Sequence, residues 1–188
     1  PKIGGKKILG FGVAPESIGF GSTFSYKDFS ASILVEGKMG GSFYSGTNNW
    51  YKVYGLHKDT VPAGGREAGF TPDGVMEDGT VITTSIPMSK QEDYWSQTLN
   101  IGEENVGSAD YMRLRQLSIG YNVPSSMLEG SFISNATVSL IGRNLLLLSN
   151  SSDNVDPESS YAAGNAVGLE RAGLPVPRTI GLNINLKF

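Results

Sequence analysis

Asp153, Asn154, Asp156 and Glu158 set four oxygen-bearing side chains within six positions of the chain. That density suits a hard cation such as calcium. The spacing departs from an EF-hand loop, because no glycine stands where its sharp turn needs one. Asx-turns account for the same composition. Calcium is therefore a weak expectation, resting on Asp153, Asp156 and Glu158, and no other cofactor is expected. A second group is aromatic: Trp50, Tyr51, Tyr54, Tyr94 and Trp95. Such rings can stack on sugar rings or peptide side chains, or can pack the segment that carries them. Arg113, Arg115 and Arg143 suit carboxylate partners, and the first two read as loop anchors or lipopolysaccharide-facing charges rather than ligand clamps. There is one histidine, His57, and no cysteine. Thiolate zinc sites and disulfides are excluded, and no triad, P-loop or paired-carboxylate arrangement stands out, so the expectation is a protein that is not an enzyme.

These groups must be carried by strands and turns. Charged residues make up 18% of the 188-residue chain, and 25 glycines make up about 13% of it, against usual values of roughly 25% and 7%. Such a composition favours strands and turns over long helices. The net charge of −3 gives no basic field for nucleic acid. No apolar run reaches the length of a membrane helix, and no signal-peptide core follows Lys6 and Lys7.

Period-two alternation marks five strands. In the last, Ile180, Leu182, Ile184, Leu186 and Phe188 alternate with Thr179, Gly181, Asn183, Asn185 and Lys187. The first runs from Ile18 to Lys27, with Ile18, Phe20, Phe24 and Tyr26 on one side. The second runs from Phe29 to about Tyr44, with Glu36 and Lys38 on its polar side. The third, Ala109 to Val123, puts Arg113 and Arg115 in the parity of Leu117, Ile119 and Tyr121. A bulge between them, or a position above any membrane, would resolve that conflict. The fourth runs from Asn135 to about Leu148 and sets Ala136, Val138 and Leu140 against Thr137, Ser139 and Arg143. From Ser45 to about Ser108 periodicity is lost, and Asn150 to Pro177 reads as a second long loop.

The connections alternate in length: short, long, short, long. If the chain ends on the periplasmic side, both long loops fall outside and both short ones fall inside, as in an outer-membrane barrel. The expected fold class is all-β: antiparallel strands forming a segment of a large transmembrane β-barrel with long extracellular loops. The row Ile180, Leu182, Ile184, Leu186 and Phe188 is expected to meet lipid, with Phe188 as the aromatic end of a barrel-insertion signal.

A resemblance sharpens this. Tyr111-Met-Arg-Leu-Arg-Gln-Leu-Ser-Ile-Gly-Tyr-Asn-Val-Pro124, Leu140-Ile-Gly-Arg-Asn-Leu-Leu146, Asp156-Pro157-Glu158 and Pro177-Arg178 through Phe188 resemble the late strands of SusC/RagA-type TonB-dependent transporters of Bacteroidetes. Phe24 to Phe29, Gly40-Gly41, Asp73-Gly74 and Tyr94-Trp95 are similar to the same family's preceding strands and loop. The resemblance implies an outer-membrane location, a barrel of about 22 strands around a plug, and a SusD-like surface lipoprotein as cap. It also implies import of glycans or peptides driven by the TonB complex. Residues 1–188 would be the C-terminal portion of that barrel, partnered by the rest of the barrel, the plug and outer-membrane lipid. Two other readings stand beside it. One is a secreted, soluble β-sandwich that holds carbohydrate on its aromatic loops; the other is a small self-contained barrel acting as adhesin or pore.

Overall fold

The computed structural model describes residues 5–159 and 164–188; the first four residues, and positions 160–163 of the second long loop, lie outside the described residues. Five long strands form one antiparallel sheet. They are β1 (Glu16–Tyr26), β2 (Phe29–Met39), β5 (Tyr111–Asn122), β6 (Asn135–Asn150) and β8 (Thr179–Lys187), paired in the order β1-β2-β5-β6-β8. The two-residue turn at Lys27-Asp28, with Lys27 at a φ of 51°, closes the first hairpin.

The register turns the alternation in each strand into two continuous surfaces. One row of paired residues runs Ser25, Ser30, Gly120, Ser139 and Asn183. The next row on that face includes Thr23, Ser32 and Ser118, and the hydroxyls of Ser32 and Ser118 meet at 2.7 Å. On the opposite face Phe24, Ala31, Ile119, Leu140 and Leu182 line up, and beside them Tyr26, Phe29, Tyr121, Val138 and Ile184. A one-residue slip in any strand would interchange the faces, so five strands agreeing in phase is a strong constraint. Aromatic rings gather at the short-connection end, where Phe29 lies 4.8 Å from Tyr121 and Phe132 stacks on Phe188 at 5.6 Å.

Among the described residues no second layer covers the apolar face: Leu182 is 66% exposed and Ile184 57%, whereas a β-sandwich buries that face against another sheet. The outer strands β1 and β8 each lack a second neighbour among the described residues, so these five strands do not close a barrel on themselves.

The arginine conflict in β5 is resolved by a bulge. Leu34 and Val35 of β2 pair with Gln116 and Leu114, and Arg115 has no opposite residue in either neighbouring strand. The extra residue returns Arg113 and Tyr111 to the polar face, where Arg113 pairs with Glu36 and Tyr111 with Lys38.

Both long connections leave the same end of the sheet and build a cap there. The second strand stops at Met39 rather than continuing to Tyr44, because Gly40 turns the chain at a φ of 77°. A side chain at Gly40 would come within 2.9 Å of Pro15. Beyond that turn β3 (Ser42–Ser45) pairs antiparallel with β4 (Val106–Ser108) and parallel with β7 (Leu169–Glu170). The stretch expected to lack periodicity also contains two helices, α1 (Gly46–Val53) and α2 (Met88–Thr98). At eight and eleven residues they are marginal alone and depend on packing. No helix among the described residues is long and apolar enough to cross a membrane.

Candidate functional site

The cap differs from the sheet in having an interior, and much of that interior is polar. Ser45, Asn49, Lys52, His57, Thr98, Asn105 and Glu170 are buried there. Buried polar groups are tolerable when their hydrogen bonds are made, and Glu170 shows how this is done. Its carboxylate accepts from Ser45 Oγ at 2.8 Å, Thr47 Oγ1 at 2.5 Å, the Thr47 amide at 3.3 Å and the Gly173 amide at 3.1 Å. Ser45 also caps α1, accepting from the Asn48 amide at 3.0 Å. An acid beside the first turn of a helix complements the helix dipole. One carboxylate thus ties α1 to β7 across more than a hundred residues. His57 is buried at 4% exposure. Burial pushes its pKa below the usual imidazole value, against the opposing pull of Asp59.

The five aromatic candidates separate into two groups. Trp95 is buried, stacks on Phe70 at 5.4 Å and meets Tyr94 edge-on at 5.1 Å, while Tyr94 meets Phe70 at 5.1 Å. This trio packs the cap itself. Trp50, Tyr51 and Tyr54 lie on the exposed side of α1, where Trp50 and Tyr54 stack at 5.7 Å with planes 17° apart.

The three acids offered as calcium ligands meet cations. Asp153 pairs with Lys58 at 2.7 Å, linking the two long loops, and that pairing holds its carboxyl below the usual range. Asp156 accepts from Arg113 Nη2 at 2.7 and 2.8 Å, and from the Glu158 and Val176 amides at 2.9 and 3.2 Å. Arg115 grips Glu158 as a fork, at 3.0 and 2.8 Å, and reaches Glu36 at 2.7 Å and Asn144 at 2.9 Å. Tyr111 donates its hydroxyl to Glu158 at 2.7 Å. Arg113 Nε also lies 3.0 Å from Glu158, but the direction is wrong for a hydrogen bond, so that contact is Coulombic only. Burial would raise the pKa of Asp156 and Glu158. The arginines, with amide or Tyr111 donors, outweigh burial and hold both below the ordinary carboxyl range. Among the described residues no group of three or more His, Cys, Asp or Glu side chains forms a metal-holding cluster. Arg113 and Arg115 anchor the second long loop to the wall, as their position in the sequence suggested; Glu36 and Glu170, the acids that complete the anchoring, carried no local signal.

Between α1 and the anchored segment lies an open cleft of about 610 Å³, lined by Trp50, Tyr51, Asn154, Val155, Arg171 and Pro175 among others. Such a volume is within the range of small-molecule sites. Its walls are fixed to α1. Asn48 donates to the Asp153 carbonyl at 3.0 Å and accepts from Asn154 at 3.2 Å, while Thr47 Oγ1 accepts from the Ala172 amide at 2.7 Å.

No family model matches the chain. Two curated proteins of Formosa agariphila are similar to it. TonB-dependent receptor P3 is 26% identical over 97% of this chain and 17% of its own length; TonB-dependent receptor P26 is 29% identical over 96% and 18%. The RagAB peptide importer in its 'closed-closed' state shares the fold with a TM-score of 0.65, at 20% identity over 97% of this chain and 18% of that one. A second structure, of the RagAB peptide transporter, gives a TM-score of 0.58 at 18% identity over 94% and 17%. The chain is thus similar in sequence to TonB-dependent receptors and in fold to the RagAB structures. It spans under a fifth of the length of the curated relatives it matches. Its five-stranded sheet is an antiparallel segment of the transporter barrel fold.

Proposed function

We propose that residues 1–188 are the C-terminal portion of an outer-membrane active importer. The rest of the polypeptide completes the barrel and supplies a plug. The apolar sheet face meets lipid, the polar face lines the lumen, and the cap faces outward. In this reading a SusD-like lipoprotein covers the cap, the TonB complex provides the energy, and glycans or peptides are carried. The observation that carries the reading is the agreement of five strands on one apolar and one polar face, with both long loops leaving one end. A row such as Leu182 and Ile184 left open to the surroundings suits hydrocarbon and costs free energy in water. The similarity to TonB-dependent receptors supports the same conclusion.

The test uses the full-length protein in its native envelope. It should fractionate with outer membranes, run as a heat-modifiable band, and give uptake of labelled oligosaccharide or peptide pools that stops when TonB is removed. Recovery in the soluble fraction, or uptake indifferent to TonB, would refute the proposal.

A further inference from the structure

Among the described residues, the cleft beside α1 holds one charged side chain without a partner. Three charged residues line it: Asp156, Glu170 and Arg171. Asp156 is held by Arg113, and Glu170 is buried with four donors on its carboxylate. Arg171 is exposed, and among the described residues it has neither an ion pair nor a hydrogen bond. The stem of Arg171 crosses α1 where the helix begins. A side chain at Gly46 would fall 2.5 Å from Arg171 Cγ, so the absence of one there is what lets the arginine lie against the helix. Two of the four non-glycine residues with positive φ, Asn154 at 63° and Ala172 at 51°, also line this cleft. Strained residues persist where the surrounding structure holds them, and here the bonds from Asn48 and Thr47 do so.

From this we infer that the cleft is a subsite for a carboxylate-bearing ligand. Its carboxylate would pair with the Arg171 guanidinium, and its body would lie against the exposed rings of Trp50 and Tyr51. Arginine is suited to the task because its fork matches a carboxylate in two parallel hydrogen bonds. Both lining acids have their carboxylates engaged by donors inside the protein, so neither takes up the Arg171 guanidinium that a ligand carboxylate would use. The inference extends the importer reading by naming the chemistry its cargo carries, and rests on that reading only for how the ligand reaches the cleft. An acidic sugar and a peptide carboxylate offer the same chemistry.

The test is equilibrium binding to the full-length transporter in detergent, using two matched pairs: trigalacturonate with its methyl ester, and a tripeptide with its C-terminal amide. At least one acid should bind about tenfold or more tighter than its neutral partner, the factor expected of a hydrogen bond to a charged group. R171Q should abolish that preference while leaving the affinity for the neutral partner unchanged, and W50A should weaken both members of the pair. Which pair responds identifies the source of the carboxylate. Equal binding of acid and neutral forms, no binding of either pair, or an R171Q variant that folds and keeps the preference would each overturn the inference. TonB-dependent uptake in cells is measured in parallel. Binding without uptake would leave the subsite standing and remove the importer; uptake without acid preference would do the reverse.

Discussion

The sheet and the cap solve opposite problems. Every long strand in the sheet has its backbone paired on at least one side, yet its apolar side chains stay largely uncovered: Phe20, Phe24, Ile180 and Leu182 are all more than 60% exposed. The cap hides polar side chains, and nearly every one of its buried charges has a partner within hydrogen-bond reach. The sheet therefore depends on what surrounds it, and the cap on what it contains. A protein built for a uniform aqueous solvent would have no reason to join a sheet with an uncovered apolar face to a cap with a polar interior.

The comparison breaks hardest at the arginine anchor. Arg113→Met should leave Asp156 and Glu158 buried beside one cation instead of two. Removing one partner of a buried pair costs about 3–5 kcal/mol. The loss should appear as faster hydrogen exchange over residues 153–176, with exchange in β8 unchanged. Acid should loosen the same anchor. The folded-state pKa values of Asp156 and Glu158 are depressed, so their contribution is fully present above the unfolded carboxyl range near about 4 and is lost as pH falls through the folded values. Protection of residues 153–176 that persists at pH 2 would contradict this.

The next test separates the two faces. Leu182→Arg places a charge on the apolar face and should cost about 2–4 kcal/mol if the residue sits near mid-bilayer. Its neighbour Asn183→Arg, on the polar face, should change stability by about 0.5 kcal/mol or less. Urea titration of the full-length protein in lipid vesicles measures both, and equal losses would mean the faces are assigned wrongly. A smaller effect sharpens the account of the cap. Ser45→Ala removes the cap of α1 and one donor to Glu170, and should cost about 1 kcal/mol. The change should be visible as increased proteolytic nicking near residues 46–53.

The sheet was legible in the sequence because its information is local. Alternation in Thr179–Lys187 needs no knowledge of β6 to be seen, and the clash of Arg113 and Arg115 with Leu117 left a bulge as one of two explanations before any pairing was known. The cap was not legible, for the converse reason. Glu170 is meaningful only once Thr47 lies beside it, and Trp50 and Trp95 look equivalent in sequence although one is exposed and the other buried. Helix α1 carries two adjacent asparagines and a β-branched terminus, giving a weak helical signal that tertiary contacts override. Of the aromatic candidates, Trp95 is buried in the cap, whereas Trp50, Tyr51 and Tyr54 are exposed at α1.

The bulge at Arg115 has a consequence for how this strand tolerates change in length. Deleting that residue would join Leu114 to Gln116, and β5 would become an uninterrupted ladder against β2 with Arg113 still facing inward. Deleting Leu114 instead would close the same ladder but put Arg115 opposite Val35 on the apolar face, and deleting Gln116 would put it opposite Leu34. Position 115 is thus a point where the strand can lose one unit without changing its reading frame of inside and outside. What would be lost is the second arginine, and with it the fork on Glu158.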